Sequence, residues 1–186
     1  MKQLLLGSLL IFASSYTVAA SITCGNQYRT ATLGSAEVCE IGSGNTQGNG
    51  STIDGHFGAS WSEQGSLTDN GSNSYLSSNL TSGSWGSQNV AGSWEIDSSF
   101  WDVFDEAVIS IHVGNGSYDP DHFAWLITED EISGNWSYDK LTGNGGGLSN
   151  MKLWGRVSAQ VPEPGTLSLF TLGLLGLTFS RKKLNG

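Results

Sequence analysis

Ala107-Val108-Ile109-Ser110-Ile111-His112-Val113, followed by Gly114-Asn115-Gly116, decides the fold of this chain. Its alternation puts Ile109, Ile111 and Val113 on one face of a strand, and the glycine-bearing triplet supplies a turn. The same pattern recurs downstream. His122-Phe123-Ala124-Trp125-Leu126-Ile127-Thr128 reads as a second strand and Asn135-Trp136-Ser137-Tyr138 as a shorter third. Met151-Lys152-Leu153-Trp154-Gly155-Arg156-Val157 reads as a last one, with Met151, Leu153 and Val157 facing opposite to Lys152, Trp154 and Arg156.

Upstream, residues 41–92 are dominated by Gly, Ser, Asn and Thr, with Phe57, Trp61, Tyr75, Leu76, Trp85 and Val90 spaced through them. Glycine costs about 1 kcal/mol per helical position, and Ser and Asn compete for backbone hydrogen bonds, so helix is disfavoured there. Short strands joined by turns such as Gly48-Asn49-Gly50 and Asp69-Asn70-Gly71 are expected instead. Many short strands without an amphipathic helix predict an all-β fold, an antiparallel β-sandwich or jelly-roll-like domain.

Composition sets the two ends apart from that domain. Met1-Lys2, the apolar run from Leu4 to Phe12 and the small residues Val18-Ala19-Ala20 have the pattern of a signal peptide over residues 1–20, with cleavage between Ala20 and Ser21. At the other end, Pro162 and Pro164 fix their own φ and push their predecessors out of the helical region, so Val161-Pro162-Glu163-Pro164 is expected to be extended. The uncharged run over residues 165–180, with its flanks, just reaches the lower limit of about 17 residues for a transmembrane helix. Arg181, Lys182 and Lys183 favour the cytoplasmic side, which leaves Pro162-Glu163-Pro164 at the outer face of the inner membrane.

That order of triplet, near-span and basic tail, set against the C-terminus, resembles the PEP-CTERM sorting signal of Gram-negative bacterial surface proteins. The resemblance implies that an exosortase, a membrane transpeptidase-like enzyme, cuts at the signal. Inner-membrane anchoring is then transient, and the product ends at the cell surface or outside the cell. Residues 21–160 form the β-sandwich domain in this reading, and residues 161–186 the sorting signal.

Between residues 21 and 160 lie sixteen of the 17 acidic residues but four of the 8 basic ones, a net charge of roughly −12. No Lys or Arg lies between Arg29 and Lys140. Phosphate neutralisation needs cations, so no nucleic-acid partner is expected. Cys24 and Cys39 are the only cysteines, and an exported chain places them in an oxidising compartment. A disulfide between them is expected to contribute about 3 kcal/mol by closing a loop of roughly 15 residues.

Individual chemistry is sparse. Asp119-Pro120-Asp121-His122 and Glu129-Asp130-Glu131 flank the second strand, and Asp102, Asp105 and Glu106 add a third acidic loop. Calcium takes six to eight oxygens, and no spacing here matches an EF-hand or a nonapeptide repeat. No metal site and no cofactor are therefore expected beyond weak extracellular calcium. His56, His112 and His122 are the only imidazoles, and none sits in a hydrolase motif, so no catalytic residue is assigned. Trp61, Trp85, Trp94, Trp101, Trp125, Trp136 and Trp154 are read as mostly core. Trp154, between Lys152 and Arg156 on the polar side of its strand, is expected to be buried under a neighbouring loop, with stacking on a sugar ring as the alternative.

A second resemblance covers the later half of the chain. Ser93-Trp94, Val108-Ile109-Ser110-Ile111, Phe123-Ala124-Trp125-Leu126, Gly134-Asn135-Trp136-Ser137 and Leu148-Ser149-Asn150-Met151-Lys152-Leu153-Trp154-Gly155 look like the β-rich body of many PEP-CTERM proteins. Two positions depart from it: His112 where a Lys is expected, and Ser149-Asn150 where Ser-His is expected. The expectation is a non-enzymatic surface or extracellular-matrix protein, associated with exopolysaccharide in a biofilm. A secreted carbohydrate- or calcium-binding module and a secreted hydrolase are the alternatives.

Overall fold

The structure, a computed structural model, describes residues 20–43, 49–114 and 118–158. Among them, strands pair into two antiparallel sheets. The six-stranded sheet runs in the order β1 (Ile22–Gly25), β2 (Arg29–Leu33), β10 (Ser133–Lys140), β7 (Asn89–Ile96), β6 (Leu76–Ser82) and β5 (Gly71–Asn73). The five-stranded sheet runs β3 (Ala36–Gly42), β9 (His122–Ile127), β8 (Glu106–Val113), β11 (Leu148–Arg156) and β4 (Ser62–Leu67). The two pack face to face, as the expected all-β sandwich requires.

Alternation builds the core from both inner faces. Leu33, Trp94, Ile96, Trp136 and Tyr138 project from the first sheet, and Ile109, Ile111, Phe123, Trp125, Met151 and Leu153 from the second. At the centre of the six-stranded sheet, β7 and β10 pair so that Trp94 lies opposite Gly134 and Trp136 opposite Gly92. Each indole spreads over the glycine of the partner strand: a Cβ on Gly134 would sit 2.7 Å from Trp94 Nε1, and one on Gly92 3.0 Å from Trp136 Nε1. Glycine is required here by close approach.

The two open sides of the sandwich are closed differently. At one, the disulfide Cys24–Cys39 joins edge strand β1 to edge strand β3, with Cα atoms 6.2 Å apart, and Trp125 Nε1 donates across the sheets to the Ile22 carbonyl at 3.1 Å. At the other, β4 approaches the β5–β6 hairpin so closely that a Cβ on Gly65 would lie 2.6 Å from the Asn73 carbonyl oxygen.

Several local expectations are corrected. Gly50–Phe57 is a helix, α1, and not the continuation of a turn: Asn49 caps it by accepting the Thr52 N–H at 3.0 Å, and Ile53 anchors it in a buried apolar cluster. Tertiary packing therefore overrides poor helix propensity. The third strand, expected over four residues, spans eight because its ladder to β7 continues through polar Ser133 and Asp139. Val157 does not share the face of Met151 and Leu153; it lies beyond β11 and is 62% exposed. Of the triplet after β8, Asn115 and Gly116 lie outside the described residues.

Gly134→Ala and Gly92→Ala are expected to lower stability by about 1–3 kcal/mol through overpacking against the indoles. Gly55→Ala, which meets nothing within 4 Å inside α1, is expected to raise it by about 0.5–1 kcal/mol. Urea denaturation of the three variants checks both signs; the reverse order would contradict the packing described.

Candidate functional site

The sorting residues Pro162, Glu163, Pro164, Arg181, Lys182 and Lys183 and the signal segment 1–19 lie outside the described residues, as does the expected spanning run 165–180. Among the described residues, no helix is long and apolar enough to cross a membrane. Ala20 and Ser21, the expected cleavage pair, are exposed at the entrance to β1, where the Ala20 carbonyl accepts the Ala36 N–H at 3.2 Å.

The opposite end of the domain is tied down just before the sorting segment. Arg156, at the end of β11, forks onto Glu106 with Nε–Oε2 at 2.6 Å and Nη2–Oε1 at 2.7 Å. Its Nη1 donates to the Phe57 carbonyl at 2.8 Å, at the end of α1, and its guanidinium lies 4.4 Å from the centroid of the Trp61 ring. Ser158 completes the knot: its N–H donates to Asp105 Oδ2 at 2.7 Å and its hydroxyl to Glu106 Oε2 at 3.0 Å. The Arg156 hydrogen bonds hold the Glu106 carboxyl below the usual range, against the opposing effect of burial.

The acidic groups separate. Asp119 and Asp121 precede β9, whereas Glu129, Asp130 and Glu131 follow it, about 20 Å away along a six-residue strand. Asp105 and Glu106 meet Glu129 and Glu37 around a shallow pocket of about 190 Å³. Glu106 is already committed to Arg156, and Glu131 accepts the Ser35 hydroxyl at 3.3 Å. Among the described residues, no group of three His, Cys, Asp or Glu side chains is arranged to hold a metal ion.

Trp154 is placed by the structure in the interior. It is 2% exposed beneath α1, packs with Ile53, Trp61, Val108 and Ala124, and donates from Nε1 to Ser110 Oγ at 2.9 Å. The expected burial of Trp154 holds, with a helix rather than a loop as the cover, and the sugar-stacking alternative falls. Trp85 and Trp101, half-buried, are the tryptophans with most access to solvent.

One cluster was not anticipated. The outer face of the five-stranded sheet carries Gly42, His122 and His112 side by side on β3, β9 and β8, with Asn150 next on β11. His56 of α1 stacks on His122 with ring centroids 6.0 Å apart and planes within 11°. All three imidazoles of the chain thus converge under one helix. His122 and His112 are 0% and 3% exposed, and their ring nitrogens have no hydrogen-bond partner among the described residues. Burial, then the neighbouring His56, His112 and Lys152, push His122 down to about 4; burial also lowers His112, with Asp121 opposing and Arg29 and Lys152 reinforcing. Alternation along β8 and β9 already placed His112 and His122 on matching faces, but only α1, hidden in the Gly/Ser-rich stretch, brings His56 to them.

The outer face of the six-stranded sheet is bare by contrast. Asn79, Ser93 and Asn135 form one cross-strand row, and Ser77, Glu95 and Ser133 the next. These six line an open groove of about 290 Å³.

With this geometry established, comparison of the sequence gives one family: the PEP-CTERM protein-sorting motif matches residues 160–183. The chain carries that motif, which marks it for export, membrane transit and exosortase processing. No curated protein and no solved structure matches it.

Two outcomes test the anchoring contacts. Reduction of Cys24–Cys39, or its replacement by two serines, is expected to cost about 3 kcal/mol, and thiol labelling of the native protein is expected to find no reactive cysteine. Arg156→Met is expected to cost about 2 kcal/mol by taking two hydrogen bonds from Glu106 and one from the Phe57 carbonyl, while Ser149→Ala, on an exposed strand position, leaves the melting curve unchanged within about 0.5 kcal/mol.

Proposed function

We propose that residues 21–158 form a non-enzymatic module, freed of its leader at Ala20–Ser21 and of its membrane tail at Pro162-Glu163-Pro164, that works at the cell surface in contact with exopolysaccharide. The observation that carries this reading is the position of the sorting motif, residues 160–183, directly after the last described residue of the fold, Ser158. Cutting there removes the spanning run and the basic tail while leaving every strand intact. The knot of Arg156, Glu106 and Ser158 closes the domain upstream of the cut. A disulfide across the sandwich edge suits a protein that must persist outside the cell.

The contact with polysaccharide is assigned to the bare outer face of the six-stranded sheet. Its hydroxyls and side-chain amides both donate and accept, as sugar hydroxyls do, and its rows contain no Lys or Arg. Glu95 in the groove and the net negative charge of the chain disfavour an anionic polymer. A neutral polysaccharide is the matching class.

Intact-mass measurement of extracellular material from strains with and without the exosortase is expected to show loss of residues beyond Pro164 only in the former; retention of Arg181-Lys182-Lys183 in both sinks the processing reading. Co-sedimentation with neutral matrix polysaccharide is expected to weaken about thirtyfold in the double variant Asn79→Ala/Asn135→Ala, by loss of hydrogen bonds worth about 1 kcal/mol each. Equal retention of variant and wild type, or no retention of either, sinks the polysaccharide contact.

A further inference from the structure

The histidine stack lies on the face opposite the polysaccharide groove and is not used by the reading above. α1 has eight residues, and a helix of that length is marginal in water without tertiary packing. Its hold on the sheet has three parts, the first being Ile53, buried in the apolar cluster with Trp61, Val108, Ala124 and Trp154. At its C-terminal side, Asp54 Oδ1 accepts the Trp61 N–H at 3.1 Å and Arg156 donates to the Phe57 carbonyl, contacts that contain no imidazole. At its third contact, His56 lies on His122, which lies beside His112. Beneath the helix is the apolar face of Val108, Ala124 and Trp154, continued by Leu126.

We infer that the His56–His122 stack, with His112 beside it, is an acid-released latch: protonation of the buried pair undocks α1 and bares the apolar face beneath it. Neutral imidazoles stack without charge repulsion, whereas imidazolium ions side by side in a desolvated site repel. The charges around them mostly add to that repulsion. Facing the stack are His56 from α1, Glu40 from β3, His112 from β8 and Lys152 from β11, with Arg29 from β2 and Asp121 ahead of β9 acting on His112. Lys152 is itself held by Glu63 of β4 at 2.8 Å. Glu40 approaches His56 Nδ1 at 3.9 Å, and Asp121 favours the charged form of His112; these two carboxylates oppose release. Segments 44–48 and 115–117 contribute no titratable residue.

The sign follows from linkage. His122 falls from an ordinary 6.5 to about 4 when docked, so the docked state binds fewer protons. Docking is strongest above 6.5 and weakens as pH falls toward 4, by at most about 300-fold from His122 alone, because His112 and Lys152 stay beside it on the sheet. Loss of the Glu106–Arg156 pair belongs to lower pH, because a depressed carboxylate gives up its contribution only below 4.5. The two acid responses are therefore separable.

The test is amide hydrogen exchange on the folded, disulfide-intact protein from pH 7 to 4.5, corrected for intrinsic rates. Protection of α1 amides is expected to fall by up to about 40-fold between pH 6.5 and 4.5 while Ile109 and Ile111 in β8 keep theirs. In His112→Gln/His122→Gln the fall is expected to shrink below about threefold. Parallel loss in α1 and β8, or an unchanged fall in the double variant, overturns the latch. Should that variant not fold, the His122 ring resonance of the wild type decides: a midpoint well below 6 that coincides with loss of α1 protection supports the latch, and one near 6.5 overturns it.

Discussion

The crossed pair Trp94 over Gly134 and Trp136 over Gly92 fixes the rest of the sandwich. A chain so rich in Ser, Asn and Gly has few large apolar residues from which to build a core, and its tryptophans carry much of the burial. An indole on a central strand needs room beside it, and a glycine directly opposite supplies that room without a cavity. The two pairs also set register: sliding β10 by one residue along β7 would place each indole against a residue whose side chain points to the solvent face. Trp136 adds hydrogen bonds from Nε1 to Ser78 Oγ at 3.0 Å and to the Ser93 carbonyl at 3.2 Å, which tie β6 to the same centre.

The two sheets then face outward in different ways. The outer face of the six-stranded sheet is polar row by row and needs no cover. The outer face of the five-stranded sheet carries Val108, Ala124, Leu126 and Trp154 as well as two histidines, and α1 with Trp61 covers it. This asymmetry explains why β8 is buried along nearly its whole length, on both faces, although it belongs to an antiparallel sandwich. It also explains the fate of Trp154, whose place between Lys152 and Arg156 marks a covered face and not a wet one.

Much of this was readable from residue order. Period-two alternation in the second half located β8, β9, β10 and β11, and the cysteine pair in an exported chain gave the disulfide. What alternation could not show is that the bridge joins two sheets, because Cys24 and Cys39 are close in sequence whichever sheets β1 and β3 enter. The helix was hidden for a different reason: Gly50 and Gly55 argue against it locally, and its support comes from Asn49 as cap and from a sheet surface assembled about 60 to 100 residues later. The groove residues Ser77, Asn79, Ser93 and Asn135 were equally silent, since their only signal is register across strands.

Topology and the sorting motif constrain one another. β11 is the last strand of the described chain, yet it lies inside its sheet, pairing with β8 on one side and β4 on the other. The five-stranded sheet is therefore complete only with the chain through Arg156 in place, a few residues before the motif begins at residue 160. The Arg156 fork joins Glu106, α1 and Trp61, and Ser158 adds Asp105, so the contacts that tie the end of the fold lie within a few residues of the motif.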